Sequence, residues 1–280
     1  MSVAETAPGR VGRDGALRLV FERRGAATVL AGCRSTLPLQ VLAPVALDDA
    51  AAVVSVLNPT GGVLGGDRLT IELEIGPGAH ACLTTPSATR VYRSSGAPAV
   101  QTVRARLAPG AVCEWVPEHT IPSPAAILEQ ALTFEVGDGA TLIAVDAWAA
   151  GRVARGEAWS FTRLASTLSV RDAAGLVLHD RFVLNGGDRW GALGFAEGHP
   201  YFASVVVVTD APLDGFLDAW SPAPAAGGDV RIGVARLPRR GALVRCLARS
   251  APALTAAVHA VWTAARRTAL TAPPLDLRKG

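Results

Sequence analysis

The densest set of residues with chemical potential in this chain is Asn58-Pro59-Thr60-Gly61-Gly62-Val63-Leu64-Gly65-Gly66-Asp67. Four glycines in six residues behind an apolar run have the composition of a phosphate cradle. Such a cradle needs a Lys-Ser/Thr step and a helix N-terminus after the glycines. Here Arg68 and Leu69 follow, and the alternation beyond them is that of a strand. The segment therefore reads as a small, left-handed backbone loop that delivers Asp67 to the start of a strand. His80 and Cys82 stand two apart on a predicted strand, so they share a face and could bind a soft or borderline metal. Their plainer reading is an exposed imidazole beside a buried thiol. Glu118-His119 and His179-Asp180 each join a carboxylate to an imidazole, again with a solvated pair as the plainer reading. The sequence holds no Gly-x-Ser-x-Gly, no His-Glu-x-x-His and no cysteine in a nucleophile signature, which argues against an enzyme.

These groups sit in a chain of 280 residues, half of them apolar, with mean hydropathy +0.30 and formal net charge +3. That length holds one large β domain or two small ones around a substantial core. Scattered arginines, few aromatics and no basic block argue against a nucleic-acid partner. The β-branched run Val205–Val208 is far too short to span a bilayer, and no signal-peptide pattern opens the chain. A cytoplasmic protein with no membrane partner is expected. Cys33, Cys82, Cys113 and Cys246 form no close pair, which leaves buried, inert thiols as the expectation.

Three copies of one pattern supply the elements that must position these groups: Ile75-Gly76-Pro77-Gly78-Ala79, Leu107-Ala108-Pro109-Gly110-Ala111 and Val136-Gly137-Asp138-Gly139-Ala140. Each follows an alternating stretch such as Leu69, Ile71, Leu73 and Ile75, which predicts a half-buried strand ending in a tight turn. Gly78, Gly110 and Gly139 are 32 and then 29 residues apart. A unit of that length that cannot bury its own apolar face stacks on its neighbours. The expected fold is mainly β, an elongated β-helix-like or stacked-sheet body with two helices near the C-terminus. A plain antiparallel meander is the alternative.

Residues 1–14 read as a flexible tail and 15–280 as one domain, with a β body over about 15–208 and a helix-containing part over about 209–272. Two or three strands are expected between residues 16 and 42, and another over 51–57. A first helix is predicted from Asp210 as N-cap to Trp220, with Pro222 beyond its end. Arg231–Leu237 and Leu243–Leu247 suggest a hairpin. A second helix starts from Ser250 as N-cap and carries Leu254, Val258, Val261, Trp262 and Ala265 on one face, with Arg266-Arg267 suiting its negative end.

Read in order, several segments resemble the urease accessory protein UreD family, called UreH in some organisms. They are the glycine loop Asn58–Asp67, Leu83-Thr84-Thr85-Pro86 leading through Thr89 into Tyr92-Arg93-Ser94, the turn Leu107–Ala111, Trp115–Ile121, and Gly151-Arg152 through Gly156-Glu157. The resemblance spans roughly residues 15–270. It implies a chaperone, not an enzyme, that scaffolds nickel delivery on the urease apoprotein. The implied partners are a helical accessory protein of the UreF type and, through the complex, a nickel-carrying GTPase of the UreG type. It implies no tightly bound cofactor; nickel is transient cargo. Carried over by motif, Asp67, Asp146 and Asp180 would line a nickel passage, with Thr89 as a polar lining position. Where the family has Gln and then an acid, this chain has Glu118-His119, two further lining candidates. The plainer reading of the three aspartates is turn caps and partners of Arg68, Arg152 or Arg181. A glycan-binding or glycan-processing β-solenoid, or an adaptor with no metal contact, are the alternatives. The two late helices, with apolar stripes beyond a β body that could close itself, are expected to offer the surface for the helical accessory protein.

Overall fold

The computed structural model describes residues 13–44, 49–188, 190, 192, 196–220 and 228–277. The strands of its first part are β1 (Asp14–Arg24), β2 (Ala27–Thr36), β3 (Gln40–Val41), β4 (Ala52–Leu57), β5 (Arg68–Ile75), β6 (His80–Thr84) and β7 (Thr89–Val91). There follow β8 (Ala99–Leu107), β9 (Val112–Trp115), β10 (Thr120–Pro122), β11 (Ile127–Val136) and β12 (Thr141–Ala149). Beyond a ribbon of β13 (Gly151–Arg152) and β14 (Glu157–Ala158) lie β15 (Arg163–Asp172), β16 (Gly175–Asn185), β17 (Tyr201–Val208), β18 (Val230–Arg236) and β19 (Gly241–Ala248). The α-helices among the described residues are α1 (Asp214–Ala219) and α2 (Ala251–Ala265), with a 3-10 turn at Val153–Arg155 and a π-helical segment at Arg266–Leu270.

The three predicted turns are corners that carry the chain from one sheet to another. A seven-stranded sheet has the order β16-β15-β11-β8-β5-β1-β2, and a larger sheet runs β18-β19-β17-β12-β9-β6-β4-β3. Strand β5 lies in the first and β6 in the second, as do β8 and β9, then β11 and β12. At each corner an alanine amide closes the turn on the residue three before it: Ala79 on Gly76 at 3.0 Å, Ala111 on Ala108 at 3.0 Å, Ala140 on Gly137 at 3.2 Å. Gly78, Gly110 and Gly139 have φ between +63° and +66°, which a side chain would strain. The corners also bond to one another, Ala108 N to Ile75 O and Gly137 N to Leu107 O, both at 2.9 Å. Ile75 pairs with Leu107 and Leu107 with Val136, so equivalent residues of successive coils share a rung. The pairing is parallel, which excludes the meander; the body is mainly β and β-solenoid-like. In the seven-stranded sheet only the borders reverse, β2 and β16 running antiparallel to β1 and β15, whereas in the larger sheet β3, β17, β18 and β19 also pair antiparallel.

Period-two patterning then fills two layers. Leu69, Ile71, Leu73 and Ile75 point between the sheets with Val103, Leu132, Phe134 and Trp148. Alternate residues of the larger sheet, among them Ile143, Val145, Val205 and Val207, face the other way and meet Phe216 of α1 and Leu254, Val261 and Trp262 of α2. Each large apolar side chain so covered contributes roughly 1.5–3 kcal/mol. The helices are a second layer on one sheet, while the outer face of the seven-stranded sheet stays polar.

Several boundaries differ from expectation. Asp14, placed in the tail, opens β1; the rest of that tail, residues 1–12, lies outside the described residues, as does Pro222. The β body continues past residue 208, because the predicted hairpin joins the larger sheet as β18 and β19. Helix α1 begins only at Asp214, with Leu213 as N-cap, because the Asp210 carboxylate is taken by Arg240. Ser250 does cap α2, accepting from Ala253 N at 3.3 Å. Arg266 does not sit at an exposed helix end: α2 passes there into a π-helical turn, and Arg266 is fully buried.

Candidate functional site

Between the sheets, at the end away from the corners, lies a cavity of about 210 Å³ lined in part by Thr85, Thr89, Glu118, Thr120, Gln130 and Asp146. Its exposed lining residues, Gly61, Pro86, Ser87 and Arg90, place its opening between the glycine loop and the Thr85–Arg90 segment. Asp146 reaches this space from the middle of β12. Its Oδ1 accepts from Gln130 Nε2 at 2.9 Å and Trp148 Nε1 at 2.7 Å, and its Oδ2 from Ser166 Oγ at 2.9 Å. Burial pushes its carboxyl up to about 6; the bonds from Ser166, Gln130 and Trp148 pull the other way, and the nearby charge of Asp180 adds to the rise. All three donors are neutral, so none cancels the charge. Its carboxyl is thus raised toward neutrality, and no cation pairs with it among the described residues.

Beside this cavity the larger sheet is interrupted. Strand β9 stops at Trp115 and β10 starts at Thr120, and residues 116–119 between them are irregular. On the far side of that break, under α2, is a second cavity of about 240 Å³ lined by His119, His259, Trp262 and Asp276 among others. Pro117, Glu118, Val145 and Ala147 border both cavities. Glu118 and His119 are 3.9 Å apart, with side chains 24% and 14% exposed, so the pair is sheltered where a solvated one was expected. Burial holds the His119 imidazole below its usual value, against the opposing pull of Glu118.

The structure thus brings Asp146, Thr89 and Glu118 to one cavity and His119 to its neighbour. Asp180 stands behind Asp146 and pairs with Arg245 at 2.7 Å, not with Arg181. Its neighbour His179 is on the opposite face of β16, bonded to Ser169, so the two do not act as a pair. Asp67 is absent from both linings. It staples the glycine loop, accepting from Arg13 N at 2.8 Å and Leu64 N at 2.9 Å. That loop is glycine-built because the chain is crowded: a Cβ at Gly62 would stand 2.5 Å from Arg90 O, and one at Gly65 2.5 Å from Ser94 Oγ.

A third constellation was not anticipated. Glu114 on β9, fully buried, accepts from His80 Nε2 at 2.6 Å, from Trp262 Nε1 at 2.6 Å and from Arg266 Nη1. Arg266 Nη2 also reaches Asp49 at 2.5 Å, and its Nε bonds Pro273 O at 2.8 Å. Burial would raise the Glu114 carboxyl, but the bond and charge of His80 and then those of Arg266 hold it below the usual range. His80 is therefore buried and paired, not exposed. Its sequence neighbour Cys82 is buried on the same face, its thiol pushed well up by burial. The signals for this cluster were Glu114 inside an apolar strand and Arg266 four residues after Trp262, on the stripe that α2 buries.

Burial likewise raises the thiols of Cys113 and of Cys246, the latter to about 12, whereas Cys33 is exposed on the border strand β2. Among the described residues, no three His, Cys, Asp or Glu side chains are gathered to hold a metal ion. No helix among them is long and apolar enough to cross a membrane.

A two-sheet stack of parallel coils, sealed by a helical layer and hollowed beside a buried carboxylate, defines a β-solenoid-like protein with interior cavities. The model of the UreD urease accessory protein family matches residues 13–279, and the chain belongs to that family. The urease accessory protein UreD of Delftia acidovorans is 36% identical over 262 residues, 86% of this chain and 85% of that one. Those of Alkalilimnicola ehrlichii and Deinococcus radiodurans are each 35% identical, covering 97% of this chain and 92% and 96% of theirs.

Proposed function

We propose that this chain is a urease maturation chaperone that scaffolds nickel delivery on the urease apoprotein and gives the metal a passage. Membership in the UreD family supports the maturation role. The observation that carries the passage is the pair of cavities meeting at Glu118, one holding Asp146 and Thr89, the other His119. Nickel accepts oxygen and imidazole donors, and a transit route needs weak, separated sites more than one tight cage. Asp146 supplies a buried carboxylate that no cation pairs with among the described residues, Glu118 a second at the sheet break, His119 a nitrogen beyond it. Asp180 acts through Asp146 by charge, and Asp67 acts by shaping the loop at the opening. The helical accessory protein docks on the layer of α1 and α2, bringing the GTPase with it. All six tryptophans are buried or half-buried, which speaks against a glycan-stacking groove built on them.

The test is co-expression of the Asp146→Asn variant, alone and with Glu118→Gln, with urease and its accessory genes. Complex assembly should be retained while nickel per urease and urease activity fall. Wild-type nickel content and activity would return the chain to an adaptor with no metal contact.

A further inference from the structure

The second cavity has a mouth of its own on the helix side of the larger sheet. Among its lining residues, Thr255 and His259 of α2 and Asp276 beyond the helix are exposed, whereas Leu254, Trp262 and Leu275 are buried. The mouth therefore lies between α2 and residues 271–277. After the π-helical turn the chain reverses at Thr271, whose φ is +52°, and Arg266 Nε bonds Pro273 O at 2.8 Å, which sets the returning segment beside residue 266. Leu275 and Leu277 pack in the same apolar layer as Leu254 and Val258, so the segment runs back along the helix. Its register then follows from chain geometry. Seven helical residues, from Arg266 back to His259, rise about 10 Å. Three residues held extended by Pro273 and Pro274, from Pro273 on to Asp276, cover about 10 Å as well. An imidazole and a carboxylate thus face the mouth at one level, on its two sides.

We propose that His259 and Asp276 form an entry site that captures a borderline divalent cation and hands it to His119. The His259 ring is in T-shaped contact with Trp262, 5.7 Å between ring centres, which restrains it. It makes no hydrogen bond or ion pair among the described residues, so its nitrogens are open to a ligand. A cation of nickel's class takes both donor types. One imidazole and one carboxylate, with water completing the shell, hold it weakly, and a loading station has to release what it binds. Shelter then increases inward: His259 and Asp276 are exposed, Glu118 and His119 are sheltered at the sheet break, and Asp146 is buried. This inference rests on the function proposed above, since the mouth opens through the helical layer on which that function seats the accessory protein.

The probe is cobalt(II), whose visible absorption reports imidazole ligation, and then nickel(II), each titrated into the untagged full chain. His259→Ala and Asp276→Asn, both at exposed positions, should leave the melting curve in place. Each should remove one equivalent of bound metal, and the double variant should remove that same equivalent and not a second, because the two residues hold one ion. His179→Ala, an exposed histidine on the outer sheet, should remove none. An unchanged metal count in either single variant, or two equivalents lost in the double, would overturn the proposal. In cells co-expressing urease and its accessory genes, both single variants should lower nickel per urease when nickel is limiting and match wild type when it is abundant, because capture governs loading more than throughput. Wild-type nickel content under limiting supply would overturn the entry role. The passage itself is tested by Asp146→Asn in the same cells, so its failure and that of the entry site are read from different variants.

Discussion

Asp146 and Glu114 are both carboxylates sunk in the larger sheet, yet they are displaced in opposite directions. Asp146 faces the gap between the sheets, where Gln130, Ser166 and Trp148 offer neutral hydrogens, and its carboxyl rises to about 6. Glu114 faces the helix, where His80 and Arg266 bring charge as well as hydrogens, and its carboxyl falls below the ordinary value. Burial is near complete in both, so it does not distinguish them; the charge of the donors does. One site rests on neutral donors and has no cation beside it among the described residues. The other has been given one by the protein itself, and it serves to fasten α2, Asp49 and Pro273 to the sheet.

The largest expected effect comes from breaking the fastened site. Arg266→Met takes the guanidinium away from Asp49 and from Glu114, which keeps only His80 and Trp262, and should cost about 3–5 kcal/mol in urea unfolding. A cost under 1 kcal/mol would mean that the cluster is not the clamp described here. Next is the open site. A carboxyl raised from 3.8 to about 6 favours the folded state in its protonated form, so this contribution is present below pH 3.8 and lost as pH rises through 6. The shift amounts to about 3 kcal/mol at most. Asp146→Asn should therefore be more stable than wild type at pH 7 and gain nothing at pH 3.5, in unfolding curves taken across that range. Glu114 runs the other way: its contribution is present above 4.5 and lost as pH falls through its lowered folded value, so acid loosens α2 first.

A smaller change sharpens the contrast. Ser166→Ala removes one neutral donor from Asp146, which should cost about 1 kcal/mol and move the midpoint of the pH effect above 6. A midpoint moving down would show that the hydroxyl is not stabilising the ionised form. The smallest effect belongs to a pair that is neither buried nor fastened. Arg106→Ala breaks an exposed contact with Glu135 and should stay within about 0.5 kcal/mol of wild type at physiological salt.

The corners, the thirty-residue period, the β1–β3 strands, the late hairpin and the Ser250 cap were all legible because each is written in local sequence. Period-two patterning and turn chemistry act over a few residues, and repetition multiplied the signal. The Glu114 cluster was not legible, since His80, Glu114 and Arg266 are separated by 34 and then 152 residues and meet only through stacking and the return of α2. Arg266 was read by the helix dipole, a surface rule, although its place on the buried stripe contradicted that. Of the residues proposed for a passage, Asp146 and Thr89 converge on a cavity that a linear motif could name but not locate. Asp67 shared the motif and was drawn instead into the loop, because two backbone amides needed its oxygens.

Parallel coils that bond rung to rung have no inherent last member, and another coil could in principle be laid on either side. Here β2 and β16 turn back against the stack and occupy the two edges of the seven-stranded sheet to which a further coil would bond. An antiparallel strand, not an open coil, is therefore the border that a neighbouring molecule meets. A chain shortened by β2 would leave the edge of β1 without its partner, and edge-to-edge association, not simple unfolding, is the failure its fold would invite.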